Sequence, residues 1–137
     1  IAALAKMCGV SETHFRKIFS TVKGCSPVEY INSLKLSRAK ELLSSGMYTV
    51  SEVSEQAGFH DESYFSRFFK KETGSTLTDY VNKQRIERAK ELLVSTNIQI
   101  QNIAQRCGML DVNYFTKLFK KHTGKTPTEY RESTINF

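Results

Sequence analysis

Apolar residues along this chain fall in short helical runs that return at a constant interval. Ile1, Leu4, Ala5 and Cys8 keep the spacing of one helical face and stop at Gly9. Val50, Val53, Ser54 and Ala57 repeat the run before Gly58, and Ile100, Ile103, Ala104 and Cys107 repeat it before Gly108. A second stripe follows each glycine: Phe15, Ile18, Phe19 and Val22; then Phe65, Phe68 and Phe69; then Phe115, Leu118 and Phe119. Such spacing belongs to an amphipathic helix with its stripe in a core, so these aromatics are expected to be buried. Ser11, Asp61 and Asp111 stand where an N-cap is needed, and Gly24, Gly74 and Gly124 where a left-handed stop ends the helix.

A longer helix is predicted after two of these stops. "SPVEY" combines a Ser26 cap, Pro27 at the first helical position and Glu29 closing a capping box. "TPTEY" does the same with Thr126, Pro127 and Glu129, while "TLTDY" keeps Thr76 and has Leu77 in place of proline. Thr49 with Glu52 also has the form of a capping box. The long helices should cover roughly 27–44 and 77–95, ending at Gly46 and Asn97, with Leu36, Ala39 and Leu43 on one face of the first and Ile86, Ala89 and Leu93 on one face of the second.

The interval is 50 residues. "YFSRFFKKETG" at 64–74 returns as "YFTKLFKKHTG" at 114–124, and a looser form, "HFRKIFSTVKG", stands at 14–24. Eight of fourteen positions are identical between 30–43 and 80–93. The expected fold is therefore all-α: three helix-turn-helix units of homeodomain-like form joined by two connecting helices. The segments are 1–26, a connecting helix 27–46, 47–76, a second connecting helix 77–97, and 98–137 with a terminal helix. The first unit has one residue fewer between its turn glycine and its phenylalanine, and no helix stands before it. It is expected to expose part of its apolar face and to fray first. Because the chain opens on Ile1 rather than Met, it reads as a fragment or a processed form.

A helix-turn-helix needs a small residue in its first helix, glycine at the turn and an apolar anchor in its second. Ala5, Gly9 and Phe15 satisfy this, as do Ser54, Gly58, Phe65 and Ala104, Gly108, Phe115. The second helix of this motif enters the DNA major groove. With the phenylalanines inward, Thr13, Arg16 and Lys17 face outward together, as do Ser63, Ser66 and Arg67, and Asn113, Thr116 and Lys117. These side chains suit base edges: Arg or Lys on guanine, Asn on adenine, Ser or Thr on either. Lys70, Lys71, Lys120, Lys121 and Lys125 lie just beyond and suit phosphate contacts.

Composition changes this picture in three respects. At 137 residues and 39% apolar content, the chain is one ordinary domain or a few small units sharing packing. The net charge of +6 sits at the ends: seven bases and three acids over 1–49, six and three over 100–137, but seven and eight over 50–99. Cys8, Cys25 and Cys107 form no C-x-x-C pair and have no histidine at metal spacing, which fits buried filler thiols in a reducing cytosol. His14, His60 and His122 are scattered one per unit, so no nucleophile–base set, metal site or cofactor is expected, and no enzyme activity. No apolar run reaches membrane-spanning length. The expected partner is double-stranded DNA, with no membrane and no small-molecule site. The alternative is a helical-repeat scaffold for partner proteins, or an engineered fusion with no regulatory role of its own.

"GFHDESYFSRFFKKETG" and "TGKTPTEYR" resemble the DNA-binding domain of the AraC/XylS family of bacterial transcription regulators, over nearly the whole of 1–131. The resemblance implies two helix-turn-helix units joined by one long helix and docked in successive major grooves. It also implies base-facing positions at Thr13, Arg16 and Lys17 and at Ser63, Ser66 and Arg67, RNA polymerase as a partner of the full-length regulator, and a cytoplasmic, nucleoid-associated location. The chain departs from the family in having three units, in lacking the helix before the first, and in lacking a sensor domain. The front of the middle unit resembles a second unit and its back, "TLTDYVNKQRIERAKELL", a first one. Natural triplication and an overlap fusion near "KKETG" both fit. A connecting helix of about 18 residues spans about 27 Å, against about 34 Å between successive major-groove faces. Three helices could thus follow three turns, roughly 30 base pairs. The acidic middle, with Glu62 beside Asp61, argues instead for one adjacent pair docking well and the third helix binding weakly.

Overall fold

The computed structural model describes residues 1–135, and every element among them is an α-helix. The final positions of the 98–137 segment, 136 and 137, lie outside the described residues. The order is α1 (Ala2–Met7), α2 (Glu12–Lys23), α3 (Pro27–Ser45), α4 (Val50–Ala57), α5 (Glu62–Thr73), α6 (Leu77–Ser95), α7 (Ile100–Arg106), α8 (Val112–Thr123) and α9 (Pro127–Ile135).

Side-chain chemistry sets most of the boundaries. Ser26 accepts from the Glu29 N–H while the Glu29 carboxylate accepts from the Ser26 N–H, and Thr126 and Glu129 repeat this reciprocal box. At Thr49 only half of the expected box forms: its hydroxyl accepts from the Glu52 N–H. α3 ends on Gly46 in the left-handed region, as its sequence requires. α6 covers the expected 77–95, and Thr96 just beyond it is extended at φ −135° and ψ 165°. No glycine is available there, and Arg131 of α9 satisfies the loose carbonyls instead. Its Nε donates to Leu93 O at 3.1 Å, Nη1 to Ile98 O at 2.7 Å and Nη2 to Thr96 O at 3.2 Å.

The chain builds two closed cores. One joins Ala39, Leu42 and Leu43 of α3 to Val53 and Ala57 of α4, Phe65 and Phe69 of α5, and Leu77 at the start of α6. The other joins Ile86, Ala89 and Leu93 of α6 to Ile103 and Ala104 of α7 and Phe115, Leu118 and Phe119 of α8. α6 therefore contributes its first turn to one core and its second half to the next. In each core an edge-on ring from the following helix closes the aromatic pair: Tyr80 on Phe69 at 5.2 Å and Tyr130 on Phe119 at 5.4 Å.

The α1–α2 pair differs. Phe15 and Phe19 are only half-buried, Leu4 is 47% exposed, Ile18 46% and Val22 73%. The expected burial of this stripe is thus only partly met, for two physical reasons. Leu43 and Leu93 come from long helices that lie over Val53 and Ile103; among the described residues no such helix lies over Leu4, which holds the same place in the motif. Val22 occupies the position of Glu72 and His122, which are exposed in their own helices. Val22 lies on the Phe15 side of α2, two turns on, where the last turn of the helix runs past the packed region.

At the second turn, Gly58 adopts φ +91°, and a Cβ there would meet Lys35 Cε at 3.3 Å. Gly108 adopts φ +84° under the Arg85 guanidinium. Both glycines hold a left-handed conformation that side chains rarely adopt, and this, more than the cover from the flexible Lys35 and Arg85 side chains, calls for glycine. The extra turn residue of these two units, His60 or Leu110, stays in solvent, which lets Phe59 or Met109 drop into the core.

Ser54 holds the small-residue position of α4, is buried, and its hydroxyl has no partner. Alanine fills the same place at Ala5 and Ala104. Ser54→Ala should raise stability by about 1 kcal/mol, because it removes an unpaired buried oxygen and leaves no cavity of note. Urea denaturation reads this directly, and a lower midpoint would mean that the hydroxyl is satisfied in solution.

Candidate nucleic-acid interface

α2, α5 and α8 each have 12 residues and the same construction. Their caps hold as expected: Ser11 accepts from His14 N–H at 3.2 Å, Asp61 from Ser63 and Tyr64 N–H at 3.0 and 3.3 Å, and Asp111 from Asn113 and Tyr114 N–H at 2.9 and 3.3 Å. Burying the phenylalanine face leaves the opposite face in solvent. There Thr13 and Lys17, Ser63 and Arg67, and Asn113 and Lys117 form three exposed pairs spaced four residues apart.

The third residue of each expected set lies at the edge of that face. Ser66 and Thr116 are half-buried, and the Thr116 hydroxyl donates to Val112 O at 2.8 Å. Arg16 is also half-buried, and its guanidinium is paired with Glu12 at 2.7 Å. Its counterpart in register, Ser66, carries no charge. Arg67 makes no salt bridge among the described residues, and neither does Lys117. Lys70, Lys71, Lys120 and Lys121 occupy the last turns of α5 and α8, where the helix dipole favours cations, and Lys125 follows the Gly124 stop; all are exposed.

Tyr64 and Tyr114 belong neither to the apolar stripes nor to the expected base-facing sets. They sit in the first turns of α5 and α8, 44% and 50% exposed, with no hydrogen bond to either phenol oxygen among the described residues. The signal was their return at the 50-residue interval immediately before the buried Phe65 and Phe115.

An open groove of about 610 Å³ separates the α3–α4 junction from α6 and the end of α7, and Arg85, Arg88, Arg106 and Cys107 line part of it. Burial pushes the Cys107 thiol above its ordinary pKa, while the positive charges of Arg88 and Arg85 oppose that rise. A raised thiol pKa is the reverse of what a nucleophile needs. It also sets a pH dependence. The folded state favours the neutral thiol, so this stabilisation is complete below about pH 8.5, the pKa of an unfolded thiol, and is lost as pH rises through that value and the higher folded one. Melting curves from pH 7 to 10 should fall more steeply for the wild type than for Cys107→Ala. Parallel slopes would assign the alkaline loss to other groups. Among the described residues no three His, Cys, Asp or Glu side chains gather to hold a metal, and no helix is long and apolar enough to cross a membrane.

A short first helix, a glycine turn and a capped basic second helix with a polar outer face define a helix-turn-helix DNA-binding module. The helix-turn-helix domain family matches residues 4–83 and again residues 69–133. The second match begins at Phe69, inside α5, so the α4–α5 pair lies wholly within the first. The chain is 33% identical over 58 residues to the lactose operon transcription activator of Staphylococcus xylosus, a match covering 42% of this chain and 21% of that protein. It is 40% identical over 62 residues to the HTH-type transcriptional activator Btr of Bacillus subtilis (strain 168), covering 45% of this chain and 12% of that one. It thus spans only a small part of the length of these relatives. Among solved structures, the C-terminal domain of AraT, a response regulator from Geobacillus stearothermophilus, superposes with a TM-score of 0.66 at 33% identity, over 72% of this chain and 84% of that one. The chain belongs to the helix-turn-helix domain family in its AraC/XylS form: it is a DNA-binding domain for transcription regulation.

Proposed function

We propose that the chain reads double-stranded DNA by placing α5 and α8 in successive major grooves, with α2 engaging weakly, as the DNA-binding part of a bacterial transcription regulator. One observation carries this reading: the same exposed outer face recurs on α5 and α8, each held on its own closed core. The units are divided as 1–26, 47–76 and 98–137 around connecting helices 27–46 and 77–97. Bases are read by Ser63, Ser66 and Arg67 and by Asn113, Thr116 and Lys117. Thr13, Arg16 and Lys17 form a third, weaker set because α1–α2 lacks a closed core and the exposed Arg16–Glu12 pair competes with DNA for the guanidinium. Lys70, Lys71, Lys120, Lys121 and Lys125 hold phosphates. The chain works by binding, without catalysis, in the cytoplasm at the nucleoid. Both curated relatives are named activators, which favours activation and contact with RNA polymerase in the full-length regulator.

Binding-site selection followed by footprinting tests this. The expected footprint spans roughly two helical turns, about 20 base pairs, with affinity falling steeply as salt rises. Glu62→Gln should tighten binding, most at low salt, by removing an anion from the edge that phosphates approach. Equal protection over three turns would show that α2 engages fully. Absence of any salt-dependent binding would overturn the reading in favour of a protein scaffold.

A further inference from the structure

Resting on the DNA-docking reading above, the geometry points to the phenol groups of Tyr64 and Tyr114 as phosphate donors that position α5 and α8 in the groove. The N-terminal turn of a groove-bound helix faces the DNA, and its free N–H groups are an ordinary grip for phosphate. Here that grip is taken. The Asp61 carboxylate accepts from the Ser63 and Tyr64 N–H groups, and Asp111 from those of Asn113 and Tyr114. The caps also place fixed negative charge where a phosphate would sit, and Glu62 adds to it on α5.

A donor at this end must therefore come from a side chain that projects beyond the caps. Tyr64 and Tyr114 are the third residues of their helices, roughly half exposed, with unpartnered hydroxyls among the described residues. A phenol is a neutral donor, so it can sit beside Asp61 or Asp111 without being drawn into an ion pair. α2 differs in both respects: its cap is the uncharged Ser11, and His14 stands in the tyrosine position.

Two further features bear on these residues, the first for Tyr64 alone. Its ring stacks on Phe68 at 6.0 Å and 27° and lies 6.3 Å from Phe59, which restricts its direction; Leu118 and Met109 take those places beside Tyr114. Lys71 and Lys121 follow Tyr64 and Tyr114 by seven residues, so each pair lies along one flank of its helix. Both lysines are exposed. Each helix thus carries a phenol at its start and an ammonium at its end on the flank beside the base-reading face, suited to one strand of the sugar–phosphate backbone.

Tyr64→Phe and Tyr114→Phe test this, because they keep the ring and remove only the hydroxyl. Dissociation constants would be measured for the selected site and for an unrelated duplex, with thermal melting and repeat site selection alongside. Each variant is expected to bind both duplexes about five- to tenfold more weakly, with the melting temperature and the selected sequence unchanged. Replacing single phosphates of the site by neutral methylphosphonates should reveal a position that weakens the wild type but not Tyr64→Phe. Wild-type affinity in both variants would overturn the phenol assignment while leaving the docking reading intact. A changed selected sequence would make the tyrosines base readers and overturn it equally. A wild-type protein that binds no duplex in a salt-dependent way would take both inferences down together.

Discussion

Phe65→Ala should cost about 3–5 kcal/mol, a large part of the stability of a domain this size. Phe65 is fully buried. Its ring stacks on Phe59 at 4.8 Å and meets Phe69 edge-on at 6.0 Å, and it shares a core with α3, α4 and the first turn of α6. Phe15→Ala, at the same place in α2, should cost under half as much, because Phe15 is only half-buried and Leu4 and Ile18 beside it are themselves nearly half exposed. Urea titrations of the two variants give the comparison. Hydrogen exchange should show the same order, with 1–22 opening before 100–130. Equal losses, or stronger protection of 1–22, would mean that α1–α2 is as firmly packed as the other pairs.

Arg67→Ala should weaken binding to the selected DNA by about 1–3 kcal/mol and relax preference at a single base position. Arg67 projects from the exposed face of α5, opposite Phe65 and Phe69, without an acidic partner among the described residues. Its forked donors match the two acceptors on the major-groove edge of guanine. Arg16 is the informative control. Its guanidinium is held by Glu12 in an exposed pair on the half-open α1–α2 unit, so Arg16→Ala should cost less than Arg67→Ala. Lys121→Ala should lower affinity for all sequences alike and reduce the salt slope by roughly 1. An unchanged selected sequence for Arg67→Ala would remove this residue from base readout.

The two arginines show where sequence reasoning stops. Spacing placed both on outer helical faces. Whether a guanidinium is free depends on the rotamer and on a neighbour four residues away, and periodicity does not resolve that. Tyr64 and Tyr114 each stand one position before a buried phenylalanine, so helical rotation turns the ring away from the core and leaves it about half exposed. Phe59 and Met109 were missed as core residues because turn positions carry no helical period. The end of α6 at Ser95 was legible from local sequence, whereas the Arg131 guanidinium that covers the Leu93 carbonyl from 38 positions away was not.

The sequence by itself determined the all-α class, the 50-residue repeat, the helix starts at Ser11, Ser26, Asp61, Thr76, Asp111 and Thr126, and the glycine stops. These are local properties: caps, left-handed glycines and apolar spacing act within four or five residues of themselves. Tertiary structure decided which copies close a core. Val53 and Ile103 are buried because α3 and α6 lie over them, while Leu4 keeps the same local pattern and stays in solvent. Burial depends on what arrives from elsewhere in the chain, and so identical local patterns end as a closed core in two places and a half-open one in the third.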